Sequence, residues 1–276
     1  MNRITENKSV LDRGSITDLR EFMLQCASVT QLDVEEAVQI AHKMIRNNIA
    51  SQQLLDLENR WYASLDYGKP DYSVYCDPYY FCDIWACWVK YSRRYLKMIS
   101  SDRSRYGSPQ NVFDLGCGFG YTTSALKDIF PYADVYGTNI PSSSQWKLAE
   151  QFSQHHNFHL IDESVCLPIL HKSPSLVFAS EYFEHFESPL IELMRVIIEY
   201  DPTWLIVANS FTGRAIGHFN QYKGLHGETH SNKKIGRLFM KTLKSLGYHR
   251  VSTTYWNRRP EVWMKSEPEQ DLTQFI

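Results

Sequence analysis

The segment Ser180-Glu-Tyr-Phe-Glu-His-Phe-Glu187 brings Glu181, Glu184 and His185 within five positions. An imidazole with an unperturbed pKa near neutrality can take a proton from an attacking nucleophile. His185 is therefore the candidate general base, and Glu181 and Glu184 can orient it or contact a substrate. The bland alternative is a histidine that holds its own loop, beside carboxylates at a solvated helix start. Upstream, Asn111-Val-Phe-Asp-Leu-Gly-Cys-Gly-Phe-Gly-Tyr121 carries three alternate glycines between an apolar run and a helical stretch. Glycine allows positive φ and close approach of a ligand to the backbone. The helix that follows offers unpaired amides and the positive end of its dipole. The spacing is not the GxGxxG of dinucleotide sites, and no GK[ST] of a phosphate loop is present. His226-x-Glu228-x-His230 has ligand residue types but not the HExxH spacing, so no metal is expected. Cys26, Cys76, Cys82, Cys87, Cys117 and Cys166 form no CxxC pair, which argues against a zinc ribbon or redox motif.

Such groups need strand ends and helix starts to hold them. After residue 105, short apolar runs at 112–115, 134–138, 158–161, 175–179, 204–208, 250–255 and 261–264 read as strands. Helical stretches lie between them at 121–130, 143–155, 189–200 and 232–246. This alternation predicts an α/β fold with a doubly wound, mostly parallel sheet. Ligands of such sheets bind beyond the carboxyl ends of the strands. That rule gathers the glycine turn, residues 180–186 and residues 209–230 at one edge. The polar stretch after residue 209 is long enough to read as a functional lid.

Residues 16–60 read as helical, with Asp33 as N-cap of an amphipathic stripe. Residues 80–98 contain no Gly or Pro and predict a second helix. The polar run SSDRSRYGSPQ then marks a boundary. The expected organisation is a helical, aromatic-rich extension over 1–105 and a second domain over 106–276. Aromatics make up 14% of the chain and crowd between Trp61 and Tyr95, either as packed core or as an aromatic wall over a substrate.

The segment DLGCGFG resembles the first motif of class I S-adenosylmethionine-dependent methyltransferases. The resemblance covers roughly residues 106–265. It implies a Rossmann-like, seven-stranded, mostly parallel sheet with helices on both faces, and S-adenosyl-L-methionine as cofactor. Asp114, Gly116, Cys117, Gly118 and Gly120 match the motif and would cradle the methionine moiety and ribose. Asn139, followed by Ile140, ends the second strand where the family has an acidic residue on the ribose hydroxyls. An amide there carries no charge, which implies a weaker ribose contact. Asp162, after the third strand, would receive the adenine amine, and Ser180 would close the cofactor site. The acceptor pocket would take Tyr182, Asn209, His218 and Tyr222.

The acceptor is open between two classes. The formal net charge of −2 provides no global field for a polyanion. Together with the aromatic extension, it favours a small molecule. Lys233, Arg237, Lys241 and Lys244 at helical spacing, and Arg93, Arg94 and Lys97, favour a nucleic acid. Asp77-Pro78-Tyr79-Tyr80 is similar to the DPPY motif of amino-group DNA methyltransferases, but it lacks the second proline and precedes the glycine turn. It reads as a turn entering a helix. A non-catalytic, methyltransferase-like binding subunit is the third reading, motivated by Asn139. The first residues have no apolar core of a signal peptide, and no run is long enough to span a membrane. A cytoplasmic protein with free thiols is expected, and a homo-oligomer stays open.

Overall fold

The computed structural model describes residues 9–164, 175–255 and 259–266. Cys166 lies outside them.

Five helices come first: α1 (Ile16–Val29), α2 (Val34–Asn47), α3 (Gln52–Asp66), α4 (Tyr80–Cys87) and α5 (Arg93–Ser101). Ser15 and Asp18 form a reciprocal capping box at α1. Asp33 caps α2 by accepting from the Glu36 amide, and Asn48 closes that helix in the left-handed region at φ 56°. The expected single helix over 80–98 is helical from Tyr80 to Ser101. A wide turn over Trp88–Ser92, where the Arg93 amide donates to the Trp88 carbonyl, interrupts its regular spacing. Such turns shift the side chains that follow to another face.

The remaining elements are β1 (Asn111–Leu115), α6 (Tyr121–Ile129), β2 (Asp134–Asn139), α7 (Ser144–His156), β3 (His159–Asp162), β4 (Ser175–Ser180), α8 (Pro189–Tyr200), β5 (Trp204–Ala208), β6 (Gln221–Lys223), β7 (Thr229–Ser231), α9 (Asn232–Ser245), β8 (Tyr248–Val251) and β9 (Glu261–Lys265). Seven strands form one sheet in the order β3-β2-β1-β4-β5-β9-β8. β1 to β5 run parallel, and β9 is antiparallel to both neighbours. Every residue of β1 is buried, as a central strand covered on both faces requires. The strand order reverses between β1 and β4, so their carboxyl ends open a crevice.

Two local features differ from the sequence reading. The strand expected at 250–255 begins at Tyr248, because Gly247, at φ 83°, turns the chain straight out of α9. The long polar connection after β5 contains the hairpin β6–β7, in which Tyr222 faces His230 and both are buried. Three-residue strands give too short an alternation to stand out in the sequence. Lys233, Arg237, Lys241 and Lys244 lie exposed along α9.

The extension packs directly against the sheet. One apolar cluster runs from α1 through α4 and α5 into the sheet. The Phe22 ring of α1 stacks on Trp85 at 4.9 Å and meets Phe119 at 4.6 Å, within the glycine turn. Tyr121 then touches Trp88 at 5.3 Å.

Candidate active site

β1 ends at Leu115, and the chain turns through Gly116, Gly118 and Gly120 at φ 63°, 57° and 96°. A Cβ at Gly116 would stand 2.8 Å from the Tyr182 ring, and one at Gly120 would stand 3.0 Å from Phe158. These two glycines let the turn pack. Gly118 differs: a Cβ there meets only Gln145 Oε1, at 3.2 Å, and otherwise projects into open space. Asp114 is buried at the strand end, and its Oδ2 accepts from Thr122 (2.5 Å) and Thr123 (2.6 Å) of α6. Burial pushes its carboxyl up to about 7, against the pull of the two hydroxyls.

Beyond the turn lies a cavity of 520 Å³. Its walls come from the glycine turn, from Ser180 and Glu181 after β4, from residues 210–218 after β5, and from α4 with the wide turn behind it. Glu181 sits in the left-handed region at φ 53°, a strained conformation for a residue with a Cβ. That backbone aims the following 3₁₀ turn, Phe183–His185, back under the cavity. Glu184 is fully buried; its Oε1 accepts from the Ser210 amide at 2.7 Å, and its Oε2 has no partner. Burial pushes Glu184 up to about 7, and burial with the facing Glu184 carboxyl pushes Glu181 well up. His185 faces Tyr75 Oη at 2.9 Å through Nδ1, and its ring lies 5.3 Å from that of His218. Burial and the His218 charge hold His185 down at about 3, so the imidazole is neutral. Gly217 closes over this pair: a Cβ there would fall 2.0 Å from Tyr75 Oη and 2.2 Å from His185 Nδ1.

The segment that carries His218 is tied to α3. Trp61 Nε1 donates to the His218 carbonyl at 2.6 Å, and Arg214 pairs with Glu58 at 2.6 Å. Arg214 also stacks 4.1 Å above the Tyr62 ring.

The profile of a methyltransferase domain matches residues 113–199. The malonyl-[acyl-carrier protein] O-methyltransferase of Hahella chejuensis is 27% identical over 139 residues, 47% of this chain and 47% of that protein. The chain thus spans about half the length of the curated relative it matches. The solved O-methyltransferase family protein from Burkholderia thailandensis aligns over 84% of this chain and 72% of its own, at 14% identity and TM-score 0.53. The S-adenosylmethionine-dependent methyltransferase SibL, in its apo form, aligns over 85% and 75%, at 13% identity and TM-score 0.51. Residues 113–199 thus match a methyltransferase domain, and the fold is one shared with S-adenosylmethionine-dependent methyltransferases.

The cavity beside the glycine turn fits S-adenosyl-L-methionine on two observations. Gly118 leaves open the space that a side chain would fill, and Ser180 Oγ is buried with no partner in the same wall. Asp114, Gly116, Cys117, Gly118 and Ser180 line that space together with Glu181, His185 and His218. The other expected residues stand elsewhere. Gly120 packs beneath α7. Asn139 spends its side chain on the turn itself, with Nδ2 donating to the Gly118 carbonyl at 2.6 Å and Oδ1 accepting from the Ile140 amide at 2.7 Å. Ile140 is exposed, and Asp162 folds back onto the Ser164 amide at 2.9 Å.

Three residues expected at the acceptor have their side chains outside this cavity. Tyr182 Oη lies within hydrogen-bond distance of both Glu192, at 2.6 Å, and Glu163, away from the cavity and toward α8. Tyr222 Oη donates to the Glu184 carbonyl at 3.0 Å and braces that turn from behind. Asn209 lines a separate cleft of 260 Å³ beside α9. The His226 backbone amide donates to Glu228 at 2.9 Å, and His230 Nε2 lies 3.0 Å from Glu228 across the β6–β7 turn. Residues missed from sequence include Asp83, Tyr91 and Tyr95 on the cavity wall, and Tyr75 behind His185. The aromatic crowding was the only signal for them. Trp61 and Trp85 are core, whereas Tyr80, Tyr91 and Tyr95 line the cavity.

Proposed function

We propose that this protein transfers the methyl group of S-adenosylmethionine to an oxygen of a small-molecule acceptor held between the glycine turn and α4. The observation that carries this reading is that one cavity is lined by both the glycine turn and the Glu181–His185–His218 group. Donor and proton acceptor therefore face the same space. The cofactor supplies a methyl already activated on a sulfonium, so the chain's task is alignment and removal of the acceptor's proton. His185 is neutral, with its ring held by Tyr75; at about 3 it is a weak base, so its part is to accept the hydrogen bond of the acceptor hydroxyl and orient it. Ser180 and the backbone of Gly116–Gly118 hold the donor, and Tyr91 and Tyr95 close the opposite wall. The Hahella chejuensis relative, an O-methyltransferase by name, supports oxygen as the target atom.

A second reading rests on a groove of 670 Å³ along the outer side of α5, where Lys90, Arg93, Arg94, Lys97 and Arg105 gather. It would suit a nucleic-acid acceptor. One assay separates the two: transfer of labelled methyl to metabolite, RNA and DNA pools, with the wild type and His185→Gln. Label in the small-molecule pool, reduced at least tenfold in the variant at unchanged cofactor affinity, supports the first reading. Label in nucleic acid, lost steeply as salt rises, supports the second. Label in neither pool overturns both.

A further inference from the structure

Asp83 of α4 stands on the cavity wall. Among the described residues its carboxyl accepts no hydrogen bond and forms no ion pair. The cations within reach are engaged elsewhere. Lys90 donates to Asn48 Oδ1 at 2.7 Å and lines the outer groove. Arg214 is paired with Glu58 at 2.6 Å, and Arg259 lies against Tyr95 and the Glu181–Glu184 pair. Burial pushes the Asp83 carboxyl up to about 6, so near neutral pH the fold holds an unpaired charge that costs stability. Nothing within the chain offsets that cost.

Aromatic rings share this wall. Tyr80 precedes Asp83 on α4, Tyr91 lies in the wide turn, and Tyr95 lies at the start of α5. The Tyr80 ring is braced edge-on by Tyr75 at 5.2 Å. A carboxylate among tyrosine rings is the composition that holds an organic ammonium. The carboxylate supplies the opposite charge, the ring faces add their quadrupole attraction, and both strengthen as water is removed. The Asp83 charge acts on Tyr80, Cys87, Tyr91 and Glu181, which leaves the glycine turn to the donor.

We propose that the methyl acceptor carries an organic ammonium group, and that Asp83 pairs with it beside the rings of Tyr80 and Tyr91. That the ammonium belongs to a methyl acceptor rests on the methyl-transfer reading, whereas its binding at Asp83 does not. The ammonium is the anchor and not the methylated atom, since a protonated nitrogen has no lone pair to attack a sulfonium. The acceptor's hydroxyl is then free to meet His185. An anionic acceptor would face Asp83 as a like charge, so the same carboxylate that selects a cation rejects an anion.

The test is calorimetry of the full chain with benzylamine, benzyl alcohol and benzoate, a cation, a neutral molecule and an anion of matched size. Each is titrated with and without S-adenosylhomocysteine, which fills the donor site and carries no sulfonium. The wild type, Asp83→Asn, Tyr91→Leu and Glu181→Gln are compared, each checked for native circular dichroism, and S-adenosylmethionine binding is measured in parallel. The wild type should bind benzylamine at least tenfold more tightly than the other two. Asp83→Asn should bring benzylamine to within twofold of benzyl alcohol, with S-adenosylmethionine affinity within threefold of the wild type. Tyr91→Leu should cut the preference at least threefold, and Glu181→Gln should keep it. Equal binding of all three by the wild type overturns the proposal, as does full preference in folded Asp83→Asn or loss in Glu181→Gln alone. A tenfold fall in S-adenosylmethionine affinity in Asp83→Asn would assign the carboxylate to the cofactor's own ammonium and overturn it too. Benzylamine preference in a chain that binds no S-adenosylmethionine would sink the transfer reading and leave the Asp83 subsite standing. Cofactor binding without that preference would do the opposite.

Discussion

At Asn139 an amide does what a carboxylate cannot. The Nδ2 group donates to the carbonyl of Gly118, the one glycine of the turn that faces open space. The family resemblance implies an acid here, and the sequence alone suggests that restoring it would tighten cofactor binding. The structure reverses the sign. Asn139→Asp removes the donor and sets a charge against a carbonyl, at a cost of roughly 1–3 kcal/mol for the unsatisfied pair. Weaker S-adenosylmethionine binding and a lower unfolding midpoint are expected, checked by calorimetry and urea titration. A second residue acts through pH. Burial raises Asp83 to about 6 from 3.8, with Lys90 opposing and Glu58 assisting. Below about pH 4 this acid is protonated in both states and its contribution is full. As pH rises to about 6 the unfolded chain ionises first, so stability falls; above that the loss is constant. Asp83→Asn should gain roughly 1–3 kcal/mol over the wild type at pH 7 and nothing at pH 4, read from denaturant unfolding at both values. The glycine spacing, Asp114 and the acid–histidine segment were legible because each is a local string. The partners of Asn139, and the presence of Asp83 beside Glu181's cavity, depend on contacts between distant parts of the chain.

Among the elements, the segment after β5 has two anchors of different kinds. Its hairpin is held by Tyr222 from inside, and its first half is held by α3 from across the molecule. Trp61→Phe keeps an aromatic ring, leaves a small gap where the rest of the indole stood, and deletes the donor to the His218 carbonyl. The freed, buried carbonyl should cost about 1–3 kcal/mol. Amide exchange over 215–219 should speed at least fivefold while that of β1 and β4 stays within twofold, as mass spectrometry after deuteration would record. Most strands and helices could be placed from sequence, because buried central strands are continuous apolar runs and the helices keep their period. The wide turn at Trp88–Ser92 could not be, since a helical stretch with one altered hydrogen bond has the same residue pattern as a regular one. The three-residue strands β6 and β7 escaped for lack of length.

For the whole molecule, the apparent boundary at residue 105 is a boundary of pattern and not of packing. Phe22, Trp85 and Trp88 fill the space beside Phe119 and Tyr121, so the glycine turn rests on the extension. Removing residues 1–105 should therefore leave no folded remainder. Near-ultraviolet circular dichroism of a 106–276 fragment should lack tertiary signal, and a cooperative thermal transition would refute the point. The shift in residue pattern is visible in the sequence, whereas the aromatic stacking across it is not. The sheet order carries a consequence for synthesis. β8 meets the sheet through β9 alone, and β9 also covers the open edge of β5. While the ribosome delivers residues 248–251, therefore, they have no strand to join, and the β5 edge stays bare until residues 261–265 emerge. That interval, with two unpaired edges near each other, is when the nascent chain most needs shielding from its neighbours.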